Sequence, residues 1–142
     1  MQALIPQLSI LHIAEETARH LQQQGVREAI VLATAGTYRT GLYDEALRAH
    51  GITPRVPDAD GVARLMQGIY EGVKRGDNRL AAQCFGEVLG TMRARHGNVP
   101  VVMGCTEIPL ALPQAPDARG AALIDPAMIL AEALVRSAYE VH

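Results

Sequence analysis

Two hydrophobic rhythms alternate along the chain. Short apolar runs of strand length are separated by stretches with apolar residues at helical spacing. Leu8–Ile13 is the first strand candidate, and Ala14–Gln24 then reads as a helix stopped by Gly25. Glu28–Ala33 is the strongest strand, a nearly continuous apolar run of the kind that a parallel strand buried on both faces requires. The loop 34–37 leads into a helix reaching about His50 and ended by Gly51. Ile52–Val56 is a weaker strand whose Pro54 points to a sheet edge. Asp58 or Asp60 caps the next helix, which carries Val62, Leu65, Met66, Ile69 and Val73 at helical spacing. Another helix spans Arg79–Arg95 and stops at Gly97, before a strand at Val99–Met103. A short helical turn follows Cys105, then a loop rich in Pro, Ala and Asp and a last strand at Ala121–Ile124. Asp125 and Pro126 form an N-cap and N1 pair for a final helix to Tyr139. This alternation predicts an α/β, three-layer domain: a mostly parallel sheet of about four to five strands with helices on both faces.

Composition narrows the classes. At 142 residues the chain fits a single domain over residues 1–142, with enough length for a proper core. Hydrophobic residues at 49% and charged residues at 20% are those of an ordinary soluble globular protein. A net charge of −2 supplies no attraction to nucleic acid or an anionic membrane. No apolar run approaches the ~20 residues a membrane span needs. The first residues lack the basic region and cleavage site of a signal peptide. Two cysteines without Cys-x-x-Cys spacing predict neither a metal site nor a disulfide, and reduced thiols suggest a cytoplasmic protein.

Those two cysteines differ in setting. Cys84 falls on the stripe Ala81, Cys84, Phe85, Val88, Leu89 and Met92, the core side of a helix, and reads as packing. Cys105 stands at a strand exit inside Gly104-Cys-Thr-Glu-Ile-Pro-Leu110. In an open α/β sheet, ligand sites gather at the carboxyl ends of strands. A thiol just ahead of helical N–H groups also tends to be stabilised as thiolate. The alternative is a small buried side chain filling a tight strand–helix corner.

The segment 104–110 resembles the C-terminal cysteine motif of the aspartate/glutamate racemase family. Val31-Leu-Ala-Thr-Ala-Gly-Thr37 with Gly41-Leu-Tyr43 is similar to a second family segment, and Gly68-Ile-Tyr-Glu-Gly-Val-Lys-Arg-Gly76 resembles the aspartate racemase branch. Leu123-Ile-Asp-Pro126 and Leu11-His-Ile-Ala14 fit in the same order, so the resemblance covers nearly the whole chain.

The resemblance implies a cofactor-independent amino-acid racemase. Two cysteines on opposite faces of the substrate exchange the α-proton, one thiolate removing it and the other thiol returning it. A thiol of ordinary pKa ~8.5 reaches both protonation states near neutrality. Without a cofactor, surrounding donors and cations must stabilise the carbanion. By the same resemblance Cys105 is one catalytic thiol. Thr106 helps hold the substrate carboxylate, and Glu107 positions the ammonium or the thiol. Thr34 and Thr37 offer hydroxyls at the exit of the second strand, with a helix N-cap the alternative for Thr37. Tyr70 and Lys74 match a Tyr-x-x-x-Lys pair; on the residues alone Lys74 reads as part of a solvated helix face. Asp125 reads as a helix cap, and His12 as structural.

The resemblance also has a gap. The family's Gly-rich loop, distal-carboxylate arginine and first catalytic cysteine have no counterpart here, so the chain corresponds to the C-terminal portion of the family's unit. One half of a two-thiol site is therefore expected. Met128, Ile129, Leu130, Ala133, Leu134, Val135 and Ala138 make the last helix apolar on several sides. A helix of this kind expects a partner: a homodimer, or association with the N-terminal half. The expected ligand is aspartate or glutamate. A non-catalytic amino-acid or dicarboxylate-binding module is the alternative, and maleate isomerases and arylmalonate decarboxylases are related families with cysteines at this place.

Overall fold

The computed structural model describes the backbone of residues 4–140 and the side chains of residues 13–138. Its sheet has four parallel strands in the order β2-β1-β3-β4: β1 Glu28–Leu32, β2 Thr53–Arg55, β3 Val101–Met103 and β4 Leu123–Ile124. β1 and β3 are central, and their residues Ile30, Val31, Leu32, Val101 and Val102 are almost wholly inaccessible to water. β2 takes an edge, where Pro54 costs the ladder no inner hydrogen bond.

The sheet has a core on each face. On one face Ile30, Leu32, Val101 and Met103 meet α4 (Ala59–Gln67) and α5 (Asn78–His96). On the other, Ala29, Val31, Ala33 and Val102 meet α1 (Leu4–Gln23) and α3 (Leu42–Ala49). Alternate residues of one strand thus feed opposite cores, as the period-2 geometry of a strand dictates. The stripe of α5 that holds Cys84 is buried throughout, which confirms Cys84 as a packing residue.

Three elements depart from the sequence expectation. Leu8–Ile13 is no strand; it lies within α1, and the side chain of His12 is outside the described residues. A short apolar run fits either period, and here it continues the spacing of Ala14, Ala18 and Leu21, all buried. The helix after β1 is two helices, α2 (Ala35–Thr40) and α3, broken at Gly41. Gly41 has φ 70°, a left-handed conformation that ends α2 and redirects the chain. The helix carrying Ile69 and Val73 is not regular either. α4 passes into a π-helical turn, Gly68–Gly72, and a 3-10 turn, Val73–Arg75.

Caps account for the remaining boundaries. The Asp58 side chain accepts from Gly61 N–H at 2.9 Å, which settles the choice between Asp58 and Asp60. Asp77 caps α5 through Leu80 N–H. The Pro-rich excursion after Cys105 forms three 3-10 turns, Ile108–Leu110, Leu112–Gln114 and Pro116–Ala118. Arg93 on α5 ties it down by donating to the carbonyls of Asp117 and Arg119. α6 (Pro126–Glu140) packs on α1; it buries Ile129 and leaves Met128, Leu134 and Val135 exposed. Among the described residues no helix is long and apolar enough to cross a membrane.

Candidate active site

Cys105 follows β3 by two residues and lies at the carboxyl edge of the sheet, on the side where the loops after β1 and β4 also emerge. Parallel pairing forces this convergence, because all four strands deliver their ends to one edge. In front of the thiol is a cavity of about 100 Å³ lined by Cys105, Thr106, Tyr43, Met103 and Asp125, among others.

The thiol is partly buried. Burial pushes it from an ordinary 9.0 to about 11. The backbone N–H groups of Ile108 and Glu107 oppose this rise by favouring the thiolate, and the Glu107 carboxylate adds to it. The expected net stabilisation of the thiolate is therefore overturned: the helical donors are present, but desolvation outweighs them. Glu107 also accepts a hydrogen bond from the Thr106 hydroxyl at 3.0 Å.

Thr34, not Thr37, is the cap of α2. Its Oγ1 accepts from Thr37 N–H at 3.1 Å and stands 2.9 Å from Thr37 Oγ1. Thr37 lines a second, larger cavity of about 350 Å³ between α3 and β2. Tyr70 and Lys74 pair with each other, the Lys74 Nζ over the Tyr70 ring, and both are exposed. α4 is linked to the start of α2 by the Ala35 N–H, which donates to Met66 Sδ at 3.4 Å. Neither Tyr70 nor Lys74 lines the cavity at Cys105, so the candidate residues form a tight group around Cys105 and two pairs apart from it.

Two tyrosines near Cys105 carried no assigned role in the sequence reading. The phenol of half-buried Tyr38 donates to Val31 C=O at 2.7 Å and accepts from Ala33 N–H at 2.9 Å. Tyr43 forms a wall of the thiol's cavity, and its phenol is held neutral by burial and by the charges of Cys105 and Asp125. The only sequence signal for either was membership of the segments around Thr37 and Gly41. Asp125 acts as the helix cap expected of it, accepting from Ala127 N–H at 3.0 Å, while also lining this cavity.

A thiol, hydroxyls and a carboxylate at the carboxyl edge of an open parallel α/β sheet stand where doubly wound proteins keep their small-molecule sites. The Asp/Glu/Hydantoin racemase family model matches residues 1–134, and the chain belongs to that family. Solved structures agree. An Asp/Glu racemase candidate from Yersinia pestis is 28% identical with a TM-score of 0.78, covering 91% of this chain and 56% of that one. An aspartate racemase homologue from Pyrococcus horikoshii is 25% identical with a TM-score of 0.77, covering 89% and 55%. The aspartate racemase of Picrophilus torridus is 29% identical with a TM-score of 0.67, covering 89% and 51%. The chain thus spans about half the length of these solved relatives.

Proposed function

We propose that this chain supplies one of the two thiol acid/bases of a cofactor-independent racemase acting on aspartate or glutamate, with Cys105 as that thiol. The supporting observation is its setting: a partly buried sulfur at the outgoing end of β3, faced by the N–H groups of Glu107 and Ile108 and by a small cavity. A thiol raised to about 11 is neutral at rest. It begins as the acid, giving its proton to the α-carbanion and becoming thiolate. In the reverse direction the thiolate removes the α-proton. Thr106 holds substrate carboxylate and Glu107 orients the thiol or the ammonium; for Thr34, Thr37, Tyr70 and Lys74, which lie apart from this cavity, a substrate role rests on the family resemblance alone.

The second acid/base comes from another segment or from a second copy of this chain. The exposed Met128, Leu134 and Val135 give such a partner apolar surface to cover. Free thiols at Cys84 and Cys105 suit a reducing, cytoplasmic compartment.

The test is exchange of the α-proton of L- and D-aspartate in heavy water, followed by proton NMR. Exchange that disappears in Cys105→Ser supports the reading. A second reading, a binding module without catalysis, draws on the same raised thiol, which leaves little thiolate at neutral pH. Aspartate binding with no deuterium uptake selects it.

A further inference from the structure

We propose that Tyr43 is the wall that limits the size of the side chain admitted to the Cys105 site. This rests on the reading of Cys105 as the reacting thiol. Tyr43 is the second residue of α3, just after the break at Gly41, and is nearly buried. Its ring packs on Gly104, where an added Cβ would lie 3.3 Å from Tyr43 Cε2 and 3.1 Å from Ala33 Cβ. The ring is therefore wedged where β1 and β3 end, with no room to swing toward Gly104.

Two cavities meet at this ring. On one side is the 100 Å³ cavity at Cys105. On the other is the 350 Å³ cavity, lined mostly by apolar groups including Val31, Pro54, Val56, Pro57 and Val62. Tyr43 is the residue that lines both. At about 100 Å³ the space beside Cys105 is well below the roughly 300–1,000 Å³ of an ordinary ligand pocket, and suits an α-carbon with its polar groups better than a large apolar side chain. The larger cavity has the dimensions of an ordinary ligand pocket. With the ring in place the site takes amino acids of short side chain. Without it the cavities join, and branched or aromatic side chains fit.

Alkylation of Cys105 reads this wall without requiring turnover. N-ethylmaleimide and N-(1-pyrenyl)maleimide are compared by mass spectrometry of the Cys105 peptide. The wild-type chain strongly prefers the small reagent. In Tyr43→Ala the ratio of bulky to small rates rises about tenfold or more, a typical yield for relieving a pocket's steric limit. Tyr43→Leu, which keeps more of the core filled, moves the ratio in the same direction, and Tyr43→Phe leaves it unchanged. Leu47→Ala, one turn along α3 and also fully buried, loosens the same core without lowering the wall and leaves the ratio at the wild-type value. An unchanged ratio in folded Tyr43→Leu, or an equal rise in Leu47→Ala, overturns the proposal. Absence of α-proton exchange would overturn the racemase reading instead, and leaves the alkylation result interpretable.

Discussion

The Lys74 ammonium lies 4.8 Å from the centroid of the Tyr70 ring, on a segment where α4 has passed into π and then 3-10 geometry. Tyr70 is 54% exposed, and a cation over an exposed ring contributes only about 0.5–1 kcal/mol. The pair is thus dispensable for folding, which leaves Lys74 free to serve a ligand. Lys74→Met is expected to shift stability by less than about 1 kcal/mol, read from the urea midpoint. It should weaken L-aspartate binding by about tenfold or more, read by NMR titration, since a charge-assisted hydrogen bond contributes roughly 1.5–3 kcal/mol. Unchanged affinity would remove Lys74 from the site.

The π turn depends on two residues without side chains. A Cβ on Gly72 would lie 2.7 Å from Ala81 Cβ and 2.8 Å from its backbone nitrogen, and one on Gly68 would meet Phe85 Cε1 at 2.6 Å. Gly72 has φ −93°, so the obstacle at that position is contact and not backbone conformation. Gly72→Ala is expected to cost about 1–3 kcal/mol, the usual penalty of overpacking. Gly51 offers the contrast. It has φ 75° and open space around its Cα, so Gly51→Ala costs about 1 kcal/mol from backbone strain alone. Urea melts of the two variants separate the causes, and equal losses would refute the steric account.

The Cys105 thiol makes stability fall at alkaline pH. The unfolded chain loses this proton near pH 9, while the folded chain keeps it until about 11. Between those values the unfolded state binds fewer protons, so stability drops as pH rises and levels off once the folded thiol ionises. A rise of this size corresponds to about 2–3 kcal/mol. The difference between wild type and Cys105→Ser, measured by urea denaturation from about one pH unit below the lower value to about half a unit above the upper, should show that loss. A flat difference, or an alkylation midpoint near 8.5, would contradict the burial argument.

Removing the Tyr38 hydroxyl should be costly out of proportion to its size. Tyr38→Phe leaves Val31 C=O and Ala33 N–H without their partner. A stranded buried polar group costs about 1–3 kcal/mol, and the urea midpoint should fall accordingly. A neutral substitution would mean that water replaces the phenol.

Much of the architecture was legible because several residues have few options. Ile30-Val31-Leu32 is continuously apolar and rich in β-branched residues, as suits an inner parallel strand, and Pro54 belongs at an edge. Gly97 closes α5 and Asp125-Pro126 opens α6 where expected. The misreadings share a cause, a signal that does not distinguish neighbouring states. Leu8–Ile13 fits two periods, and a π turn adds one residue per turn without disturbing the apolar spacing of Ile69 and Val73. At the site, the order Cys105, Thr106, Glu107 announced helical donors after a thiol. The cavity before the sulfur is walled by Tyr43 and Asp125, which come from two other parts of the chain. Tyr43 was invisible as a wall because only the packing of α3 against Gly104 creates one.

The Tyr38 phenol has a consequence for the shape of the sheet. Leu32 C=O and Ile30 N–H are bonded toward β3, by Gly104 and Pro100, while Arg27 C=O receives Thr53 N–H on the β2 side. Val31 C=O and Ala33 N–H alternate with the first set and so face the β2 side, beyond Arg55 where β2 has ended. One hydroxyl satisfies both groups, standing in for the stretch of backbone a longer β2 would have supplied. Strand β2 can therefore stop early at no hydrogen-bonding cost. The hollow beside Tyr38, Val56 and Pro57 is the room left by the residues that were never needed there.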